Sequence, residues 1–165
     1  MKFAYSMPTR VIAGEGCLVE HAAALKEMGT KALIVTGRHS ARANGSLDDA
    51  LKALALNGQG YVLFDKVMSN PTVQCAFEGA AAMREDKCDF VLAIGGGSPM
   101  DAGKAMALLA ARDEAVDPAA IFSTAYTAAY PVVAVPTTAG TGSEVTQYSI
   151  LTNDAAETKT SIASP

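Results

Sequence analysis

Unbroken apolar runs alternate with stretches in which apolar residues recur every three or four positions. The runs Lys31–Thr36, Gly60–Phe64, Asp89–Ile94 and Pro131–Val135 are apolar almost throughout. Continuous rather than alternating hydrophobicity marks strands covered on both faces. Between them stand Leu18, His21, Ala22, Leu25 and Met28, then Leu47, Ala50, Leu51 and Leu54, then Val73, Phe77, Ala80 and Ala81. Each set lines one face of a helix, so one face of each helix meets the sheet. The pattern predicts an α/β fold: a Rossmann-like parallel sheet, helices on both faces and right-handed crossovers. Ser46 is expected to cap the second helix, with Asp48 and Asp49 in its first turn and Asn57-Gly58 as its left-handed stop. Residues 113–130 lack a clear period and predict a loop with a short helix. The first fourteen residues are expected to form a small N-terminal antiparallel strand pair.

Length and composition narrow the class. A chain of 165 residues fits one domain, 1–165, burying roughly 70% of its unfolded surface. Half of it is apolar and the net charge is −4. The Lys and Arg residues are scattered, which excludes a nucleic-acid stripe and a polybasic membrane patch. No apolar run reaches the length of a membrane span and no leader pattern precedes the first strand, so a cytoplasmic protein is expected. Cys17, Cys75 and Cys88 are odd in number and lie in apolar-periodic segments, which reads as reduced, packed thiols. His21 falls on the apolar side of its helix and His39 in a loop. With no paired C-x-x-C and no H-E-x-x-H, no metal site is legible.

Two loops carry the chemistry. Ile94-Gly95-Gly96-Gly97-Ser98-Pro99-Met100-Asp101-Ala102-Gly103-Lys104 takes an apolar strand through three glycines into a helix. Glycines admit close backbone approach, and the free N–H groups opening a helix favour an anion such as a pyrophosphate. Capping competes with this reading, since Ser98 at the N-cap, Pro99 at the first helical position and Asp101 at the third make a sound helix start. Capping leaves the triple glycine unexplained. Spacing excludes G-x-x-x-x-G-K-[ST], because Ala105 follows Lys104, and G-x-G-x-x-G, because Met100 holds the last glycine position. The second loop, Pro136-Thr137-Thr138-Ala139-Gly140-Thr141-Gly142-Ser143-Glu144-Val145-Thr146, follows the next strand. In an open parallel sheet both loops would face one crevice. A hydroxyl-rich turn without a ligand remains open for it.

Together the two loops resemble the iron-containing (group III) alcohol dehydrogenase family, whose members carry G-G-G-S-x-x-D-x-x-K and P-T-T-x-G-T-x-S-E-V-T. The likeness extends to Gly14-Glu15-Gly16 and Asn70-Pro71-Thr72. It implies a dinucleotide-binding domain in which Gly96, Gly97 and Ser98 hold the pyrophosphate and Asn70 lies near the adenosine. Thr137 and Thr138 would line the cleft, Tyr148 and Lys159 would reach the ribose, and Asp101 joins the set by its place in the motif. At the end of the Lys31–Thr36 run, Thr36-Gly37-Arg38-His39-Ser40 puts Gly37 where NAD-preferring relatives carry an acid. Arg38, Ser40 and Arg42 offer donors to a 2′-phosphate, which predicts NADP over NAD. The resemblance also implies hydride transfer between a small alcohol or aldehyde and the nicotinamide, and a homodimer when full length. Iron or zinc would be held by an aspartate and three histidines of a C-terminal helical domain absent from this chain, which by itself is expected to bind cofactor without turnover. Alternatives are a related polyol dehydrogenase or reductase, a dehydroquinate-synthase-like lyase, or a non-catalytic dinucleotide module.

Overall fold

The computed structural model describes residues 7–154 and 156–163. Four strands, β1 (Lys31–Thr36), β2 (Gly60–Phe64), β3 (Phe90–Gly95) and β4 (Val132–Pro136), form one sheet in the order β2-β1-β3-β4. All three pairings are parallel. The four apolar runs thus became strands to within a residue at either end. On β1 and β3 successive side chains enter opposite cores. Leu33, Val35, Val91 and Ala93 pack to one side with Met83, Ala105, Met106 and Leu109. Ala32, Ile34, Leu92 and Ile94 pack to the other with Leu25, Leu47, Ala50 and Leu54. Both faces are dry, which is why no polar alternation shows in the sequence.

On one side lie α5 (Val73–Glu85) and α6 (Gly97–Ala110), packed on each other. The other side carries α1 (Cys17–Glu20), α2 (Ala23–Lys26), α3 (Ser40–Ala43) and α4 (Ser46–Asn57). Residues 113–130 hold only the short 3-10 turn Pro118–Ala120. The single helix expected over Leu18–Met28 is two separate turns. At their junction Ala22 N–H donates to Val19 at 3.2 Å and Ala24 N–H to His21 at 2.9 Å. These three-residue bonds tighten the turn and swing His21 out to solvent, while Ala22 and Leu25 stay buried. The apolar-side placement of His21 is thereby corrected.

Ser46 is not the cap of α4. Gly45 takes the left-handed conformation at φ 82°, so the helix starts one residue early. The carboxamide Oδ1 of Asn44 then accepts from the Ser46 N–H at 3.0 Å and from its hydroxyl at 2.7 Å. Gly58, at φ 67°, ends the helix as expected.

An antiparallel pair is present, but at the other end of the chain: β5 (Tyr148–Asn153) and β6 (Thr158–Ala163). Of the segment expected to form the N-terminal pair, residues 1–6 lie outside the described residues, and 7–13 carry no strand. The β5–β6 hairpin packs its inner face, Ser149, Leu151 and Ile162, against the helix side of α5 and α6. Thr152 N–H donates to Pro71 at 2.7 Å, tying the hairpin to the segment that opens α5.

Asp89 fastens the amino ends of the two central strands. Its carboxylate accepts from the Thr30 and Lys31 N–H groups at 2.8 Å and from the Thr30 hydroxyl at 2.7 Å. Burial works against the charge, yet the bonds from Lys31 and Thr30 outweigh it and lower the carboxyl below its ordinary value. A carboxyl depressed in the folded state contributes stability that is present above its unfolded pKa and lost as pH falls through the folded one. Asp89→Asn should therefore lower the urea midpoint at about pH 7, and the gap to the unsubstituted chain should close in acid, as pH falls below the ordinary carboxyl value of 3.8 and through the lowered folded one. A gap of equal size at both pH values would show that charge has no part in the tie.

Cys88 is buried and Cys75 packs half-buried against the core, whereas Cys17, expected there too, is half-exposed on a helix that buries no residue. Burial pushes Cys75 and Cys88 up to about 11, so both stay protonated and weakly nucleophilic at neutral pH.

Candidate nucleotide-binding site

Chain order along the sheet places a switch between β1 and β3: from β1 the chain moves outward to β2, then returns across to β3 and β4. Ligands bind in parallel sheets at the carboxyl ends of strands flanking such a point. A cavity of about 240 Å³ opens there, lined by Gly37, Ser40, Val67, Met68, Ser69, Gly96, Gly97, Ser98 and Pro99. Gly37 and Ser40 follow β1, Val67–Ser69 follow β2, and the glycines follow β3.

The glycine turn has a separate reason at each position. Gly95 stands at φ 144°, a conformation that L side chains rarely adopt, and a Cβ would come within 2.8 Å of the Pro99 ring. At Gly96 a Cβ would stand 3.0 Å from the Thr138 hydroxyl, and at Gly97 2.8 Å from that of Thr141. The hydroxyl loop therefore packs so closely on the turn that only a bare backbone fits beneath it, while the cavity opens on the turn's other side, toward the ends of β1 and β2. This is a cradle that side chains would fill, with the N terminus of the fourteen-residue α6 opening beside it. Backbone N–H groups and the helix dipole there suit an anion, so the residues present fit the pyrophosphate of a dinucleotide.

Ser98 is not the cap of α6. The helix begins at Gly97 with Gly96 as its N-cap and no side-chain cap bond. The absence of a Cβ at Gly97 lets the helix start one residue before the serine. Ser98 lines the cavity instead.

Of the other expected site residues, Thr137 donates its N–H to Gly95 at 2.9 Å and Thr138 is exposed above Gly96. Asn70, exposed, takes φ 58°, a conformation asparagine tolerates better than most residues. Its carbonyl accepts from the Thr152 hydroxyl at 3.3 Å. Lys159 is exposed and pairs in register with Thr152, so it lies near Asn70. Tyr148, also exposed, pairs with Ala163 at the far end of the hairpin. The two residues expected at the ribose thus share one face but stand at opposite ends of it.

Arg38 and Ser40 are exposed at the end of β1. Arg42 is engaged with Asp65 beyond the end of β2, at 3.5 Å. Asp101 is 8% exposed and does not line the cavity. Its carboxylate accepts from the Ser143 hydroxyl at 2.6 Å and lies 3.4 Å from the Lys104 ammonium. Burial holds Lys104 below its ordinary value, and Asp101 opposes that shift. Thr141, Ser143 and Ser149 escaped notice as individual residues. Only the hydroxyl-rich composition of their segment signals them, without telling which oxygens turn inward.

A larger cavity, of about 440 Å³, lies at the amino end of the sheet among Arg84, Lys87, Asp89, Arg112, Asp113 and Tyr130. Its guanidinium groups are used in packing. Arg84 donates to the carbonyls of Leu109 and Arg112 at the end of α6, and Arg112 donates to Ala125 at 2.9 Å. The smaller cavity has the exposed turn and the helix N terminus. Among the described residues no three His, Cys, Asp or Glu side chains stand together as a metal requires, and no helix is long and apolar enough to cross a membrane.

Fold and site define a doubly wound α/β domain with a glycine turn at its switch point. The sequence profile of the iron-containing alcohol dehydrogenases matches residues 8–165, and the chain belongs to that family. It is 38% identical over 137 residues to 1,3-propanediol dehydrogenase of Klebsiella pneumoniae, covering 82% of this chain and 35% of that protein. To the NADPH-dependent butanol dehydrogenase of Clostridium saccharobutylicum it is 34% identical, covering 96% of this chain and 41% of that protein. The crystal structure of an iron-containing alcohol dehydrogenase from Thermotoga maritima superposes with a TM-score of 0.91 at 39% identity, covering 98% of this chain and 45% of that one. The chain thus spans less than half the length of these relatives.

Proposed function

We propose that this chain is the dinucleotide-binding domain of a metal-dependent alcohol dehydrogenase and that it takes NADP(H) in preference to NAD(H). The observation that carries the reading is the cradle at the switch point, where Thr138 and Thr141 stand within 3.0 Å of where Cβ atoms at Gly96 and Gly97 would sit. The pyrophosphate would sit in the cavity against Gly96, Gly97 and Ser98, with Thr137 and Thr138 bounding the cleft beside the glycine turn. Gly37, Ser40 and Asn70 would hold the adenosine half, and Tyr148 and Lys159 of the hairpin would reach the ribose region. When bound, the nicotinamide exchanges hydride with the carbinol carbon of the substrate. The chain's own part is to hold the cofactor, orient it and exclude water from the pyrophosphate.

The preference for NADP rests on Gly37 and Arg38. No carboxylate follows β1 to accept the 2′-hydroxyl of NAD or to repel a 2′-phosphate, and Arg38 and Ser40 offer donors there. Arg42, committed to Asp65, has a smaller share. Relatives named for propanediol and butanol support a small alcohol or aldehyde as substrate of the whole enzyme, which we read as a cytoplasmic homodimer. Asp101 drops out of the direct contacts. The described residues do not assemble a metal site.

Calorimetric titration of the chain with NADPH and NADH tests the preference. NADPH should bind about tenfold more tightly, the worth of a charge-assisted hydrogen bond to the extra phosphate. Equal affinities would remove the preference, and no binding of either would remove the reading itself.

A further inference from the structure

The buried polar residues Thr36, Asp101, Ser143 and Ser149 are few, and the last three meet at one place. The Ser143 hydroxyl donates to the Asp101 carboxylate at 2.6 Å, and the Ser149 hydroxyl donates to the Asp101 backbone carbonyl at 2.7 Å. One turn further along α6, the Lys104 ammonium lies 3.4 Å from the same carboxylate. It also donates to the carbonyls of Ser143 at 3.0 Å, Thr146 at 3.3 Å and Tyr148. One ammonium thus gathers three carbonyls from the far end of the hydroxyl loop and one carboxylate from the helix that follows the glycine turn.

The loop between β4 and β5 has few other anchors. It is entered through the bond from Thr137 N–H to Gly95 and left through the Lys104 cluster. Between these points Thr138, Ala139, Gly140 and Thr141 are exposed. Their position over Gly96 and Gly97 therefore depends on the two ends. Without the ammonium, three carbonyl dipoles converge with nothing between them. Without the carboxylate, a half-buried cation loses its partner, and both arrangements are costly in a site sheltered from water.

We propose that Asp101 and Lys104 are positioning residues: they hold residues 137–147 so that Thr138 and Thr141 stand over the glycine turn, and neither touches the nucleotide. The proposal rests on the dinucleotide-binding reading above. It gives the acid and the lysine of the G-G-G-S-x-x-D-x-x-K stretch a task that neither helix capping nor direct ligand contact supplies.

The test compares two ligands on the unsubstituted chain and on Lys104→Met, which replaces the ammonium with an apolar side chain. NADPH carries a pyrophosphate to the glycine turn that the hydroxyl loop packs on, whereas adenosine 2′-monophosphate carries the 2′-phosphate and no pyrophosphate. Lys104→Met should weaken NADPH about tenfold, as expected for loss of hydrogen bonds to a charged group, and leave adenosine 2′-monophosphate unchanged. A general loss of structure would weaken both alike, and that result overturns the proposal, as does unchanged NADPH affinity. Should Lys104→Met not fold, Ser143→Ala decides, because it removes only the hydroxyl that joins loop to carboxylate. About a threefold loss for NADPH alone supports the proposal, and no loss overturns it. If the unsubstituted chain binds adenosine 2′-monophosphate but not NADPH, or binds neither, the pyrophosphate reading fails and the positioning role fails with it. Binding by the unsubstituted chain with no selective loss in the variants refutes the positioning role alone.

Discussion

Gly97→Val should abolish dinucleotide binding while leaving the domain folded. A Cβ at this position already meets the Thr141 hydroxyl at 2.8 Å, and the two methyl groups of valine would cover the face of the turn that lines the cavity, where the pyrophosphate is proposed to sit. The loss should be at least about 100-fold, since several charge-assisted bonds to backbone N–H groups go together. Stability should fall far less. Gly97 is the first residue of α6, is only partly buried and does not take the left-handed conformation. Thr141 lies on an exposed stretch that can yield. Circular dichroism and a thermal melt establish the folded state, and calorimetry with NADPH reads the affinity. A folded Gly97→Val chain that binds NADPH as the unsubstituted one does would show that the triple glycine serves only the turn. By contrast, substitution at Gly95 cannot separate these roles, because its φ of 144° and the nearby Pro99 ring make any side chain a strain on the fold.

Gly37→Asp should reverse the cofactor preference. The new carboxylate would stand at the end of β1, where the adenosine ribose is proposed to lie. Toward NADPH it opposes a doubly charged phosphate at a few ångströms, which at the effective dielectric of a partly exposed site costs about 1–4 kcal/mol, or roughly tenfold to several-hundredfold in affinity. Toward NADH it offers an acceptor for the 2′-hydroxyl and improves binding. The side chain can be accommodated: a Cβ at Gly37 would stand 3.3 Å from the Val67 carbonyl, so the neighbour must give by a few tenths of an ångström. Parallel titrations of both cofactors on both chains read the outcome. An equal fall for NADPH and NADH would mean that the substitution only obstructs the cleft, and the 2′-phosphate would have to lie elsewhere.

The strands were legible in the sequence because burial on both faces leaves no doubt about an apolar run such as Leu33–Val35 or Val91–Ile94. The two loops were legible because three glycines in succession, and five hydroxyls around two glycines, are expensive to place without a use for them. Helix starts were less legible. Ser46 and Ser98 are both good capping residues, and in both helices a glycine just before lets the backbone turn one residue earlier, which puts the serine inside the helix. The break at His21 was hidden because tight three-residue turns and α-helical turns give nearly the same apolar spacing over a short segment. The hairpin was missed because its alternation is carried by Ser149, Leu151, Thr160 and Ile162. Half of these inward positions are hydroxyls, so the contrast with the outward face is weak. Asp101 and Lys104 showed their i,i+3 relation in the sequence. Their partners Ser143, Thr146, Tyr148 and Ser149 lie some forty residues away, and no local rule connects them.

The most direct test of where the nucleotide binds is an amide-resolved titration of the chain with NADPH by heteronuclear NMR. Binding at the switch point predicts that the largest shifts fall on Gly95–Ser98, Thr137–Thr141 and Gly37–Ser40, at the carboxyl ends of β1, β3 and β4. The opposite result would be shifts gathered at the amino end of the sheet, around Arg84, Lys87 and Arg112, where the larger cavity lies. That outcome would place the anion among the arginines and leave the glycine turn a feature of the fold alone.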